Sequence, residues 1–269
     1  MRLAEPTLAP WTAHLELGFA PRPGATVLAR KRFEGPLVVQ KSFAPEPGVC
    51  EAVVVHPPGG IAGGDELALT AEVEARAHAL LTTPGAGKWY RSAGALASQR
   101  LQLRAAGILE WLPRETIVFD GARAALDTEI EVRGDGAYCG WEVLCLGRTG
   151  SGERFSRGSV GLRTRVRRDG RLIWSERGLI EGGGAMLGAP AGLAGHAVMG
   201  TMIATLQASR ELMAAVRAHA VATQMPGLLV ARYLGDSSEE ALAAFAAVWA
   251  VVRPALAGRE ALAPRIWST

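Results

Sequence analysis

The sequence predicts a mainly β fold, with many short strands in stacked, β-helix-like sheets and two α-helices near the C-terminus. Three observations carry that expectation. From residue 14 to about residue 180, short apolar or alternating stretches are broken by Gly or Pro at roughly the eight-to-twelve-residue spacing of a sandwich, a barrel or stacked sheets. No helical stretch of about three turns interrupts them, which excludes a parallel sheet built from βαβ units and with it a Rossmann domain. After Glu181-Gly182-Gly183-Gly184 the composition changes, and two segments repeat apolar residues at helical spacing.

The first strands are expected over 14–19, 26–33, 37–43 and 49–55. The stretch 56–92 follows, and the rest of the chain is organised around it. Gly59-Gly60 and Gly63-Gly64 follow Pro57-Pro58 and end on Asp65, so the backbone must turn tightly twice. Leu67, Leu69, Ala71 and Val73 then alternate with Glu66, Ala68, Thr70, Glu72 and Glu74, the period of a half-buried strand. A second strand covers 77–83. It closes on a Pro84-Gly85 turn, and Lys88, Trp89, Tyr90, Arg91 and Ser92 place cations, aromatics and a hydroxyl in a loop. Further strands are expected over 100–104, 108–112, 115–119, 128–133, 137–146, 159–168 and 171–176. Beyond the glycine run come a strand at 197–206, a helix over 209–221 with Ser209 as N-cap, and a β-like segment at 228–234. The second helix is capped by Asp236-Ser237-Ser238-Glu239-Glu240 and carries a stripe of Leu242, Phe245, Val248, Trp249 and Val252, with Pro254 ending it. Both stripes need the β part as a partner, so residues 1–269 read as a single domain.

Composition narrows the function classes. A chain of 269 residues, 49% hydrophobic and 20% charged, is globular rather than disordered. Glu5, Pro6 and Pro10 interrupt any leader, and no apolar run reaches the ~20 residues of a membrane helix, so the expected location is cytoplasmic with no membrane partner. Cys50, Cys139 and Cys145 cannot all pair and show no CxxC spacing, which argues for reduced thiols. A net charge of +3 is too small and too evenly spread for a nucleic-acid partner, although only Lys31, Lys41 and Lys88 among the 29 cationic residues are lysines.

Catalytic motifs are absent. The Gly87-Lys88 pair fails as a phosphate loop because Thr82 stands where its first glycine belongs and Trp89 follows the lysine. Gly182-Gly183-Gly184 fails as a dinucleotide fingerprint at Leu187. His14, His56, His78, His196 and His219 are scattered, so no tight metal site arises from local spacing. The acids of the conspicuous segments are Asp65, Glu115, Asp120, Glu142, Glu153, Glu176 and Glu181, each most simply a surface carboxylate or an arginine partner.

Several segments in sequence order nevertheless point to one family. They are His56-Pro57-Pro58-Gly59-Gly60, Gly63-Gly64-Asp65, 81–86, Lys88-Trp89-Tyr90-Arg91-Ser92, 109–117 with Phe119-Asp120-Gly121-Ala122, Gly140-Trp141-Glu142, Leu146-Gly147-Arg148, 151–155 and 264–269. Together with Gly35-Pro36-Leu37 they resemble the urease accessory protein D family, also called protein H. Gly87, Trp89 and Arg114 depart from the pattern, where a larger hydroxyl-bearing residue, Phe and Gln are expected.

The resemblance implies a non-catalytic maturation scaffold. Such a protein binds the urease apoprotein and the accessory proteins F and G, the latter a GTPase, and passes nickel through an internal passage to the urease active site. It implies no permanently bound cofactor, only nickel in transit. The path residues it suggests are Asp65, Thr82, Thr83, Ser92, Glu142 and Glu176, since carboxylates and hydroxyls make weak, exchangeable sites. The alternative is a β-rich small-molecule or carbohydrate-binding domain, or one that hydrolyses such a ligand with a carboxylate pair.

Overall fold

A computed structural model describes residues 10–268, so the leader region read above lies largely outside the described residues. The strands in chain order are β1 (Thr12–Arg22), β2 (Ala25–Glu34), β3 (Val38–Phe43), β4 (Val49–Val55), β5 (Glu66–Val73), β6 (His78–Thr82), β7 (Gly87–Trp89), β8 (Ala97–Ala105) and β9 (Ile108–Leu112). They continue as β10 (Thr116–Val118), β11 (Arg123–Val132), β12 (Ala137–Leu146), β13 (Ser159–Arg168), β14 (Arg171–Glu181), β15 (Val198–Ala204), β16 (Val221–Met225) and β17 (Leu228–Gly235). The helices are α1 (Ala185–Gly188), α2 (Arg210–Arg217) and α3 (Ser238–Ala257).

From β4 onward the chain winds between two sheets. Strands β5, β8, β11 and β13 pair in parallel in the first sheet, and β4, β6, β9 and β12 do so in the second. The parallel pairing therefore needs no helical crossover, because each strand returns through the opposite sheet. Antiparallel strands finish the edges: the first sheet runs β14-β13-β11-β8-β5-β1-β2, and the second runs β16-β17-β15-β12-β9-β6-β4-β3. A narrow third wall joins them, where Ile61 bridges Trp89, β7 pairs with β10, and β10 pairs with the end of β12, all in parallel. The mainly β, stacked architecture is the one the sequence predicts.

Burial explains the sequence patterns. On β11, Ala124, Leu126, Thr128, Ile130 and Val132 turn inward while Asp127, Glu129 and Glu131 turn out, as expected of a sheet with one solvated face. The outward acids meet arginines of the same sheet: Asp127 pairs with Arg163, Glu129 with Arg165, and Glu72 with Arg104 of the adjacent strand and with Arg30, which reaches across β1 at Gly18. The second sheet is buried on both faces, so β12 reads as a nearly continuous apolar run. Tyr138, Leu144 and Leu146 face the first sheet, whereas Cys139, Trp141, Val143 and Cys145 face α2 and α3.

Several expected boundaries shift. The strands at 66–73 and 78–82 are not hairpin partners but lie in different sheets. Lys88 and Trp89 belong to a strand, and Trp89 is 1% exposed, because its indole fills the corner between the third wall and the sheets. Helix α2 stops at Arg217, and residues 221–225 form an edge strand instead. Pro254 sits inside α3 and Gly258, in the left-handed conformation, caps it. The alanines that extend this helix also make Ser238–Ala257 long and apolar enough to cross a membrane by length and composition. Here it packs on the second sheet through Leu242, Phe245, Val248, Trp249 and Val252.

Candidate functional site

A cavity of 460 Å³ lies between the two sheets and crosses several coils. Leu67 and Leu69 of β5, Leu101 of β8, Leu126 of β11 and Thr164 of β13 line one side, and Val54 of β4, Trp111 of β9, Glu142 of β12 and Thr201 of β15 the other. Its third wall is the turn at 83–88 with Gly59, Gly60 and Ile61. Two glycines there are needed for close approach. A Cβ on Gly60 would lie 2.1 Å from the Tyr90 ring, and one on Gly63 would lie 2.3 Å from Ser92 Oγ. The glycine-rich stretch and the Lys88–Ser92 segment are thus packed against each other, held by Ile61 N donating to Lys88 O at 2.7 Å and Tyr90 N donating to Ile61 O at 2.8 Å.

Cross-strand register places a polar belt across this interior. On the first sheet, Thr128 lies beside Thr164, and Thr164 beside Glu176. On the second, Glu142 lies beside Thr201, and Thr201 beside Arg232. The rows are joined at both ends. Thr128 Oγ1 donates to Glu142 Oε1 at 2.6 Å, and Arg232 Nη1 donates to Glu176 Oε1 at 2.7 Å and to Thr201 Oγ1 at 2.6 Å. Glu142 is enclosed by protein, and the surface it keeps faces the cavity. Burial pushes its carboxyl above the ordinary range; the Thr128 hydrogen bond opposes this and the Glu176 charge adds to it. Glu142 and Glu176 are the two carboxylates among the lining residues. Among the described residues no group of three or more His, Cys, Asp and Glu side chains gathers as a metal cage. A cation here would meet two carboxylates and threonine hydroxyls, a hard-oxygen set that exchanges readily.

The profile of the UreD urease accessory protein family matches residues 12–268. The chain belongs to the UreD family. It is 53% identical to the urease accessory protein UreD of Azoarcus sp. strain BH72, over 96% of this chain and 94% of that relative. It is 50% identical to the UreD of Dechloromonas aromatica, over 99% of this chain and 98% of the relative, and 48% identical to that of Pseudomonas aeruginosa, over 96% and 95%.

In this UreD-family chain the residues singled out from the sequence separate into two groups. Thr83, Glu142 and Glu176 line the cavity. Asp65, Thr82 and Ser92 are not among its lining residues. Both Asp65 oxygens are taken by backbone, Oδ1 accepting from Trp11 N at 2.8 Å and Oδ2 from Ala62 N at 2.7 Å. Thr82 points through the second sheet to its outer face, donating to Leu112 O at 2.6 Å and accepting from Trp267 Nε1 at 2.9 Å. Ser92 closes its own turn on Ala95 O and Gly94 N. Three other acids hold loops or edges. Asp120 accepts from Ser156 and Arg157; the Arg157 guanidinium first, then the Ser156 amide and hydroxyl and the Arg157 amide, set its carboxyl far below the ordinary range against the opposing effect of burial. Glu153 holds Arg148, and Glu115 pairs with Arg114. Glu181 is exposed at the end of β14.

Sequence reading missed two arginine sets. One is the Arg232 end of the belt. The other lies on the outer face of the second sheet, where Glu110, 0% exposed, receives Trp249 Nε1 at 2.7 Å and Arg253 Nε at 3.1 Å, with His78 Nε2 at 2.9 Å. Arg253 also reaches Glu46 and the Glu260 carbonyl, both at 2.5 Å. Burial opposes ionisation of Glu110, but the bond and charge of His78 and then Arg253 outweigh it and hold the carboxyl below its ordinary value. A charged residue in the apolar stripe of a helix, as Arg253 is on α3, was the available signal.

Proposed function

We propose that this chain is a non-catalytic scaffold of urease maturation that binds the urease apoprotein and the accessory proteins F and G, and that it conducts nickel through the inter-sheet cavity toward the urease active site. Family membership supports the maturation role. The observation that carries the conduction reading is the polar belt, in which Glu142 faces an otherwise mostly apolar cavity together with Glu176, Thr164 and Thr201. Enclosed carboxylates attract a divalent cation electrostatically, and two of them with hydroxyls bind too weakly to trap it. We assign Thr83, Glu142 and Glu176 to the path, and Asp65, Thr82 and Ser92 to the turns that shape it. The work is expected to take place in the cytoplasm, with nickel as cargo rather than a resident cofactor.

The test is co-expression of this chain with accessory proteins F and G and the urease apoprotein, followed by size exclusion and metal analysis of the urease. The wild type should form the complex and load nickel. The double variant Glu142→Gln, Glu176→Gln should form the complex and leave urease short of nickel. Normal loading by that variant removes the belt from the path, and no association with any partner overturns the scaffold reading. Turnover of a sugar or small-molecule substrate by the chain alone would favour the hydrolase alternative.

A further inference from the structure

The conduction reading leaves one resident of the belt unexplained. Arg232 is a cation already seated among the belt's oxygens. A single nitrogen, Nη1, touches Glu176 Oε1 at 2.7 Å and Thr201 Oγ1 at 2.6 Å, so two oxygens converge on one positive atom. Its guanidinium carbon lies 5.6 Å from the centre of the Trp174 ring, which gives the side chain an aromatic seat. Arg232 and Glu176 are each about one-third exposed, so the pair is neither locked in dry protein nor lost in bulk water.

We propose that Arg232 is an exchangeable internal counter-cation that occupies the Glu176–Thr201 end of the belt until a divalent cation displaces it, and that it returns to expel that cation. This rests on the conduction reading and adds its release step. Charge competition drives the exchange. Glu142 and Glu176 are the two carboxylates that line a cavity whose lining also includes Lys88, Arg114 and Arg177, so a divalent cation arriving beside an undisplaced Arg232 meets a site short of negative charge. Like charges competing for the same carboxylate oxygens repel strongly at that range, so the two cations exclude each other. Arg232 therefore weakens metal binding at rest and supplies a ready replacement when the metal moves on, so the two carboxylates are never left together without a cation. A chain with acids alone would hold the cargo longer.

Nickel chloride binding by the chain, purified with its co-expressed partners, tests this by equilibrium dialysis. Arg232→Met keeps an unbranched, flexible side chain without the guanidinium charge, and should bind nickel at least about tenfold more tightly than wild type. Arg232→Lys retains a cation and should stay as weak as wild type. Adding Glu142→Gln and Glu176→Gln to Arg232→Met should abolish the gain. The same binding by the Met variant and wild type overturns the proposal, as does a Lys variant that binds as tightly as the Met variant. A measurement on the unsubstituted Arg232 protects the test from misfolding: nickel should change the fluorescence of the wild type more than that of Trp174→Phe, because the guanidinium leaves the ring. Equal responses count against displacement. If Glu142→Gln with Glu176→Gln starves urease of nickel while Arg232→Met binds nickel like wild type, the Arg232 assignment fails and conduction stands. If those substitutions leave loading intact, the belt leaves the path and the Arg232 proposal falls with it.

Discussion

The second sheet carries an arginine–carboxylate set on each face, and the two are built to opposite ends. On the outer face, Glu110 and Arg253 are both 0% exposed, and Trp249, His78, Glu46 and a backbone carbonyl occupy their remaining hydrogen-bonding capacity. On the inner face, Glu176 and Arg232 keep about a third of their side-chain surface, and Glu142 opens on a cavity. The outer set is dry and has no spare oxygen for a ligand, so its role is to hold α3 against the sheet. The inner set is partly exposed and joins two carboxylates, Glu142 and Glu176, to one arginine. Charge inside a protein is thus not in itself a sign of function; spare coordination facing open space is the better sign.

That contrast can be broken or sharpened by substitution. The largest effect is expected from Arg253→Met, which leaves the buried Glu110 with only its His78 and Trp249 hydrogen bonds and should cost about 3–5 kcal/mol of stability in urea denaturation. Nickel loading per folded chain should not change. Thr82→Val comes next. It leaves Leu112 O and the Trp267 indole without partners, so roughly 2 kcal/mol should be lost, again with normal loading. If loading falls instead, Thr82 belongs with the inner set.

The pH dependence of the two faces should have opposite signs. Glu110 is held below its ordinary value, so its contribution is present above an unfolded-state pKa of about 4.3 and is lost as pH falls through its folded-state value. Glu142 is pushed above that value, so the folded state binds its proton more strongly, and stability is lost as pH rises from about 4.3 through the folded-state pKa. Urea midpoints measured across this range should show Glu110→Gln flattening the acid-side loss and Glu142→Gln flattening the opposite one. The smallest effect is expected outside both sets. Arg163→Ala on the solvated face of the first sheet should cost less than about 1 kcal/mol, and added salt should shrink the difference further.

The strands could be read locally because their signal is local. Leu67, Leu69, Ala71 and Val73 announce a half-buried strand within eight residues. Register is different, since it depends on which strand returns beside which. Nothing near Glu142 in sequence indicates that Thr201 and Arg232 flank it, and the belt exists only once β12, β15 and β17 are aligned. The same holds for Glu110, whose partner Arg253 is 143 residues away. Thr83 and Glu142 were found through family motifs, but Thr82 shows the limit of that route. Adjacent residues on a strand face opposite ways, so Thr82 and Thr83 of one motif end on different sides of a sheet.

The contacts that close the outer face also set an order in time. Arg253 grips Glu46 across 207 residues of chain, and Trp267 bonds to Thr82 across 185. During synthesis β4, β6 and β9 therefore emerge well before the helix that covers them, with one apolar sheet face bare in the interval. Such non-local closure is slow and exposes the nascent chain to aggregation. A partner already present at the ribosome would shorten that interval, so the timing of subunit expression should govern how much folded chain is recovered.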